Sequence, residues 1–168
     1  MKLKLQIAAL FIVMTAACFG QQGTTWDKWT WLMGEWKGEG SGQPGQGSGT
    51  FSFVFDLDKK IIVRTSHSEY PATPDNPEVI HKDLMIIYLD SNVEPRAIFF
   101  DNEGHVINYS IVTSDNSIRL TSEIIANIPV FRLIYTLLDN NLINTKFEMS
   151  QDGKNFITYI EGKSKKIK

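Results

Sequence analysis

Gly34-Glu35-Trp36 ends a short aromatic stretch that carries Trp26, Trp29, Trp31 and Leu32, and it opens a run of hairpin-sized segments. Ten such segments have strand character, near 35–40, 47–57, 61–68, 82–90, 95–101, 105–113, 117–124, 130–138, 142–149 and 155–162. Turn signals separate them at intervals of about eight to twelve residues, the spacing of an all-β sandwich or barrel. After residue 33 no stretch keeps a helical period, and neither a linker nor a longer repeat interrupts the rhythm. The expectation is one all-β domain: a single ten-stranded antiparallel up-and-down β-barrel behind a short N-terminal helix.

Residues 1–20 read as a separate object. Lys2 and Lys4 form a basic start, Ile7 to Val13 an apolar centre, and Thr15 to Gly20 a small-residue exit. That is the layout of a secretory signal peptide, with an apolar run too short to span a bilayer. Cleavage after Gly20 gives an exported, periplasmic or secreted domain over 21–168. Thr15-Ala16-Ala17-Cys18 also resembles a lipobox, which would make Cys18 the site of a membrane-anchoring lipid. Cys18 is the one cysteine, so a domain cut after Gly20 has no disulfide framework and must be held by its core. Its length of about 148 residues suffices to bury roughly 70% of the extended-chain surface. Without Lys2 and Lys4, 15 basic residues face 19 acidic ones, a formal charge of −4. No basic surface for nucleic acid is expected.

Strand register follows from which pairing sets like against like, since a one-residue slip exchanges the two faces. A three-residue loop at Asp58-Lys59-Lys60 sets Leu57 opposite Ile61, Phe55 opposite Val63, Phe53 opposite Thr65 and Phe51 opposite His67. A loop at Asp139-Asn140-Asn141 sets Leu137 opposite Ile143, Tyr135 opposite Thr145, Leu133 opposite Phe147 and Phe131 opposite Met149. Arg132 and Glu148 then pair on the other face. Asp152-Gly153 reads as a type I′ turn, placing Phe156 beside Met149, Thr158 beside Phe147 and Ile160 beside Thr145. The inner lining expected from these hairpins is Phe, Leu, Ile and Met, punctuated by the hydroxyls of Thr65, Tyr135, Thr145 and Thr158. Ten strands make a ring wide enough to leave a cavity, whereas a solid aromatic core is the competing reading.

In a meander the turns alternate between the two ends. One end collects the Gly-rich 41–49 loop, the proline-stiffened 69–80 loop, the Asn102-Glu103-Gly104 turn, the 125–129 crossing and Asp152-Gly153. All three histidines, His67, His81 and His105, fall at that rim with Glu69, Asp83 and Asp101 near them. Imidazoles and carboxylates together can ligate zinc or iron or relay protons. No H-x-H or H-x-x-x-H spacing is present, so His67, His81 and His105 are metal candidates by placement alone. No catalytic residues are assigned, because nucleophile elbows and phosphate loops are absent. The tryptophans are expected to anchor the N-terminal segment and plug the opposite end.

The stretch Trp31-Leu32-Met33-Gly34-Glu35-Trp36-Lys37-Gly38-Glu39-Gly40 resembles the opening of calycin barrels, meaning lipocalins and fatty-acid-binding proteins. Its W-x-x-G-x-W-x-G-x-G pattern is closer still to nitrobindin-like haem-binding barrels. His81 to Met85 and Phe99 to Tyr109 make the chain similar to an uncharacterised bacterial family of exported lipocalin-like domains. The nitrobindin resemblance implies haem held by a histidine near the C-terminus, but the last strand, Phe156 to Gly162, has none. His67 or His105 would have to replace it as the axial donor. The lipocalin resemblance implies a late basic residue packed on Trp36, for which Lys163 and Lys165 are the candidates.

The functional expectation is a binding barrel for a small hydrophobic molecule, more readily than an enzyme, with no resident cofactor assigned. Phe53, Phe55, Val63, Thr65, His67, His105, Tyr135, Thr145, Phe147 and Thr158 are the candidate ligand-binding residues. His67, His105 and Arg64 stand near the rim, where they could meet a carboxylate or other polar head, although the expected register turns Arg64 outward. The alternative is a haem- or metal-binding barrel with redox or isomerase-type activity.

Overall fold

A computed structural model describes residues 26–40 and 47–168. The signal-peptide and Cys18 readings, and most of the Gly-rich loop, lie outside the described residues. A six-residue 3₁₀ segment, Asp27–Leu32, leads into β1 (Gly34–Gly38). Nine further strands follow: β2 (Ser48–Asp56), β3 (Ile61–Tyr70), β4 (Val79–Leu89), β5 (Pro95–Asp101), β6 (Val106–Thr113), β7 (Ser117–Ser122), β8 (Val130–Asp139), β9 (Leu142–Ser150) and β10 (Ile157–Lys166). Every strand pairs antiparallel with its sequence neighbour, and β1 also pairs with β10, which closes the barrel. No helix among the described residues is long and apolar enough to cross a membrane.

The closing seam depends on Gly34 and Trp36. Gly34 has φ of 114°, a conformation that L side chains rarely adopt, and an added Cβ would lie 2.2 Å from the Lys168 carbonyl oxygen. The Glu35 N–H donates to that same oxygen at 2.9 Å, and the Ile167 N–H donates to the Glu35 carbonyl at 2.8 Å. Trp36 is fully buried and its Nε1 donates to the Leu32 carbonyl at 2.8 Å. Lys166, its cross-strand partner, sets Nζ 5.2 Å from the ring. The basic residue over Trp36 is therefore Lys166 rather than Lys163 or Lys165. Strand alternation explains the correction, since Lys165 points outward and pairs with Glu39 at 2.8 Å.

The 3₁₀ segment stoppers one end. Trp29 and Leu32 are buried there, and Trp26 donates its Nε1 to the Lys59 carbonyl at 2.9 Å. Above them Phe53, Ile62, Met85, Ile87, Ala97, Ile111, Ile118, Leu120 and Ile143 fill the interior. The tryptophan plug stands as expected.

Two hairpins depart from the expected register. In the first, Asp56 pairs with Ile61, so Phe55 faces Ile62, Phe53 faces Arg64 and Phe51 faces Ser66. The turn holds four residues, Leu57 to Lys60, of which Leu57, Asp58 and Lys59 have φ near 50–60° (47°, 52° and 62°). This slip keeps Phe51, Phe53 and Phe55 inward but sends Val63, Thr65 and His67 to the outer wall. In the last hairpin no tight I′ turn forms. Asp152 instead accepts the N–H groups of Lys154 and Asn155 at 2.8 and 2.7 Å, with the Ser150 hydroxyl also bonded. β10 therefore starts later, Ile157 pairs with Met149, Thr158 with Glu148, and a bulge brings Ile160 to Phe147. Phe156 leaves the interior and lies 3.7 Å from the Arg132 guanidinium. The middle hairpin, by contrast, pairs Leu137, Tyr135, Leu133 and Phe131 with the four expected partners, and Arg132 bonds Glu148 at 2.6 Å.

Truncating Trp29 to Ala should lower the unfolding free energy by about 3–5 kcal/mol, read as a drop in urea midpoint. Gly34→Ala should also destabilise, through backbone strain and the clash at Lys168, whereas Val112→Ala on the outer wall should be nearly silent.

Candidate functional site

Above the packed half, the barrel is hollow. A cavity of about 1550 Å³ fills the end of the barrel where Gly40, Gly47, Glu103, Ile125 and Ile128 line its mouth. Its apolar wall comes from Phe51, Phe99, Ile107, Phe131, Leu133 and Phe147. Phe131 stacks on Phe147 with centroids 5.8 Å apart, and Tyr159 meets Phe147 edge-on. The hollow exists because inward positions change size along the strands. On β3 the sequence passes from Ile62 through Arg64 to Ser66 and Ser68; on β4 it passes from Ile87 and Met85 to Asp83 and His81. Small hydroxyl side chains cannot meet across a ring of this width.

An ion pair marks the floor. Arg64 donates through Nη1 to Asp83, and both side chains are buried. The guanidinium also lies 5.6 Å from the Phe51 centroid. Burial works against the Arg64 charge, but Tyr135 and Asp83 outweigh it and raise its pKa, so the group stays cationic. The Tyr135 phenol is pushed up to about 12, chiefly by burial, with Arg64 opposing and Asp83 adding to the rise. Burial likewise raises Tyr109. Both phenols are neutral at ordinary pH and available as donors. Among the described residues, Arg64 Nε, the Tyr135 hydroxyl and the Thr145 hydroxyl have no protein hydrogen-bond partner.

From Asp83 a polar line climbs to the rim. His81 Nε2 lies 3.6 Å from Asp83, and its Nδ1 lies 3.2 Å from Glu103. His105 Nδ1 meets Asp101 at 2.8 Å, and Glu103 stands 4.0 Å away. The hydrogen bond and charge of Asp101 raise the His105 pKa. Asp101 itself is lowered: burial opposes this, but its bonds from the His105 N–H and side chain and from the Glu103 N–H prevail. Asp101, Glu103 and His105 bring ligand atoms within 4.8 Å of one another, a grouping compatible with a metal ion. All three belong to one hairpin turn and largely face solvent or one another.

The expected site residues separate into three groups. Thr145, Phe147 and His105 line the cavity. Phe53, Phe55 and Tyr135 point inward but lie below it or in the packed half; Tyr135 sits against Phe51 and Phe53. Val63, Thr65, His67 and Thr158 stand on the outer wall, with Thr65 bonded to Ser52 and His67 to Glu69, both at 2.9 Å. Of the histidines, His81 and His105 come together around Glu103, and His67 does not join them. Asp83 lies close to His81, as the rim reading expected. Arg64 was turned outward by the expected register of the first hairpin, which the observed pairing of Phe53 with Arg64 corrects. The available signal was an acid two strand positions from a facing arginine.

No family model matches this chain, and no curated protein matches it either. A closed ten-stranded antiparallel barrel is compatible with a calycin-like fold.

Replacing Arg64 by Met should cost about 3–5 kcal/mol, because Asp83 is left buried without its partner. The double variant Arg64→Met/Asp83→Leu should cost less than either single change in urea unfolding. For His105, whose folded pKa is raised, pairing with Asp101 contributes fully below the ordinary value of 6.5 and fades as pH rises through the higher folded value. An NMR titration should place its midpoint above 6.5, and Asp101→Asn should return it.

Proposed function

We propose that the chain is an exported, calycin-like binding barrel that carries a small, mostly apolar molecule in its hollow half. The observation behind this reading is the cavity of about 1550 Å³, walled by phenylalanines at one end of an otherwise packed barrel. Typical small-molecule sites measure roughly 300–1,000 Å³ and combine apolar walls with a few polar groups, so a lipid-sized guest fits this one. Phe51, Phe99, Phe131 and Phe147 supply apolar surface, and Arg64, Tyr109 and Thr145 supply orienting polar contacts near the floor. Export rests on the pattern of residues 1–20, and the calycin reading on the G-x-W opening together with Lys166 packed over Trp36. A metal reading would rest on the Asp101, Glu103 and His105 turn, where Asp101 already accepts the His105 ring and the backbone N–H groups of Glu103 and His105. A haem reading would rest on His105 or the outer-wall His67 as axial donor.

Protein purified from its own host should release a stoichiometric apolar compound on solvent extraction, seen as a mass shift in native mass spectrometry. Ser66→Trp, which fills the cavity from β3, should weaken binding of the neutral dye Nile red at least about ten-fold, by the logic that a filled site excludes its guest. A protein that yields no extract and leaves Nile red unbound would refute the binding-barrel reading.

A further inference from the structure

We infer that the cavity selects neutral, oxygen-bearing lipophiles over their carboxylate counterparts; this rests on the binding-barrel reading above. The wall has one deep cation, Arg64, and that charge is already committed to Asp83. Nearer the mouth come Asp101 and Glu103, with His105 and His81 as their partners. Lys163, the other strong cation of the lining, is exposed. Six acids line the same wall (Glu39, Asp83, Asp101, Glu103, Glu123 and Glu161), so a carboxylate descending to the floor passes more acids than cations. Burying an anion without a dedicated partner is strongly unfavourable.

A neutral oxygen meets the opposite situation. A guanidinium has five N–H donors, and Asp83 occupies Nη1. The cavity wall adds the hydroxyls of Ser66, Ser68, Tyr109, Thr145 and Ser164. Tyr109 is kept protonated by burial. These groups donate to a carbonyl or hydroxyl oxygen without adding net charge to a closed space. The expected guest is thus a long-chain alcohol, ketone, ester or amide in class, with its oxygen directed at the Arg64 floor and its chain along Phe131 and Phe147.

The test is displacement of Nile red from the full-length mature protein at pH 7.5 by dodecan-1-ol, dodecanoate and dodecylammonium. Dodecan-1-ol should displace the dye at a concentration at least about ten-fold lower than either charged analogue, as expected for an unpaired buried charge. Equal or tighter binding of dodecanoate or dodecylammonium overturns the inference while leaving the cavity reading intact. Failure of Nile red to bind at all overturns the cavity reading, and this inference with it. Asp83→Asn frees Arg64 and should bring dodecanoate within about two-fold of the alcohol, provided circular dichroism shows the native fold. Where that variant does not fold, Glu103→Gln at the exposed turn should narrow the gap about two-fold through weaker, solvent-screened repulsion. An alcohol-to-acid ratio unchanged in the folded variant tested also overturns it.

Discussion

The Arg64–Asp83 pair divides the barrel into two physical regimes. Below it on the same two strands lie Ile62, Met85 and Ile87, all without solvent exposure. Above it lie Ser66, Ser68 and His81, all facing the hollow. A buried ion pair is a weak source of net stability, because desolvation offsets much of the attraction. Its position is better understood as the top of the packed core and the bottom of the site. Removing one partner leaves a bare charge at the place where packing ends, so the integrity of the core and the chemistry of the cavity are joined through one contact.

The packed half supplies the rigidity that lets the other half stay open. A ring of ten strands is wider than side chains alone readily fill. The chain closes the gap at one end with Trp29, Leu32 and Trp36, contributed by the 3₁₀ segment and the first strand. At the other end it sets Ser66, Ser68, Thr145 and Ser164 among the phenylalanines of the wall, and the void persists. The same backbone ring therefore serves as a core in one half and as a container in the other, according to the volume of the inward residues.

Much of this architecture was legible in the sequence. Strand number, meander order, the tryptophan plug and the shared rim for His81 and His105 all follow from turn spacing and alternation. The middle hairpin was also readable, because Ile143, Thr145, Phe147 and Met149 alternate with the polar Asn144, Lys146 and Glu148 and fix the phase of both strands. The first hairpin was not, since Ile61-Ile62-Val63 is apolar on both faces and gives no phase. Its register was set by three consecutive left-handed residues, Leu57, Asp58 and Lys59, a conformation that only Asp58 among those side chains favours. Thr158 went astray for a related reason: Asp152 gathers backbone donors into a longer loop, and a bulge beyond it shifts the phase of the final strand. The lining was thus correct wherever alternation fixed the phase, and wrong where a turn did.

The seam between β1 and β10 has a consequence for how the chain is made. Its two halves are separated by nearly the whole domain, so the ring can seal only after residues 157–166 have left the ribosome. Earlier hairpins can form locally, but their aromatic inner faces remain uncovered until that moment. Closure between such distant segments carries a large loop entropy and is intrinsically slow. During synthesis the nascent polypeptide is consequently an open, sticky ribbon, a natural client for any holding factor that shields apolar surface until the final strand arrives.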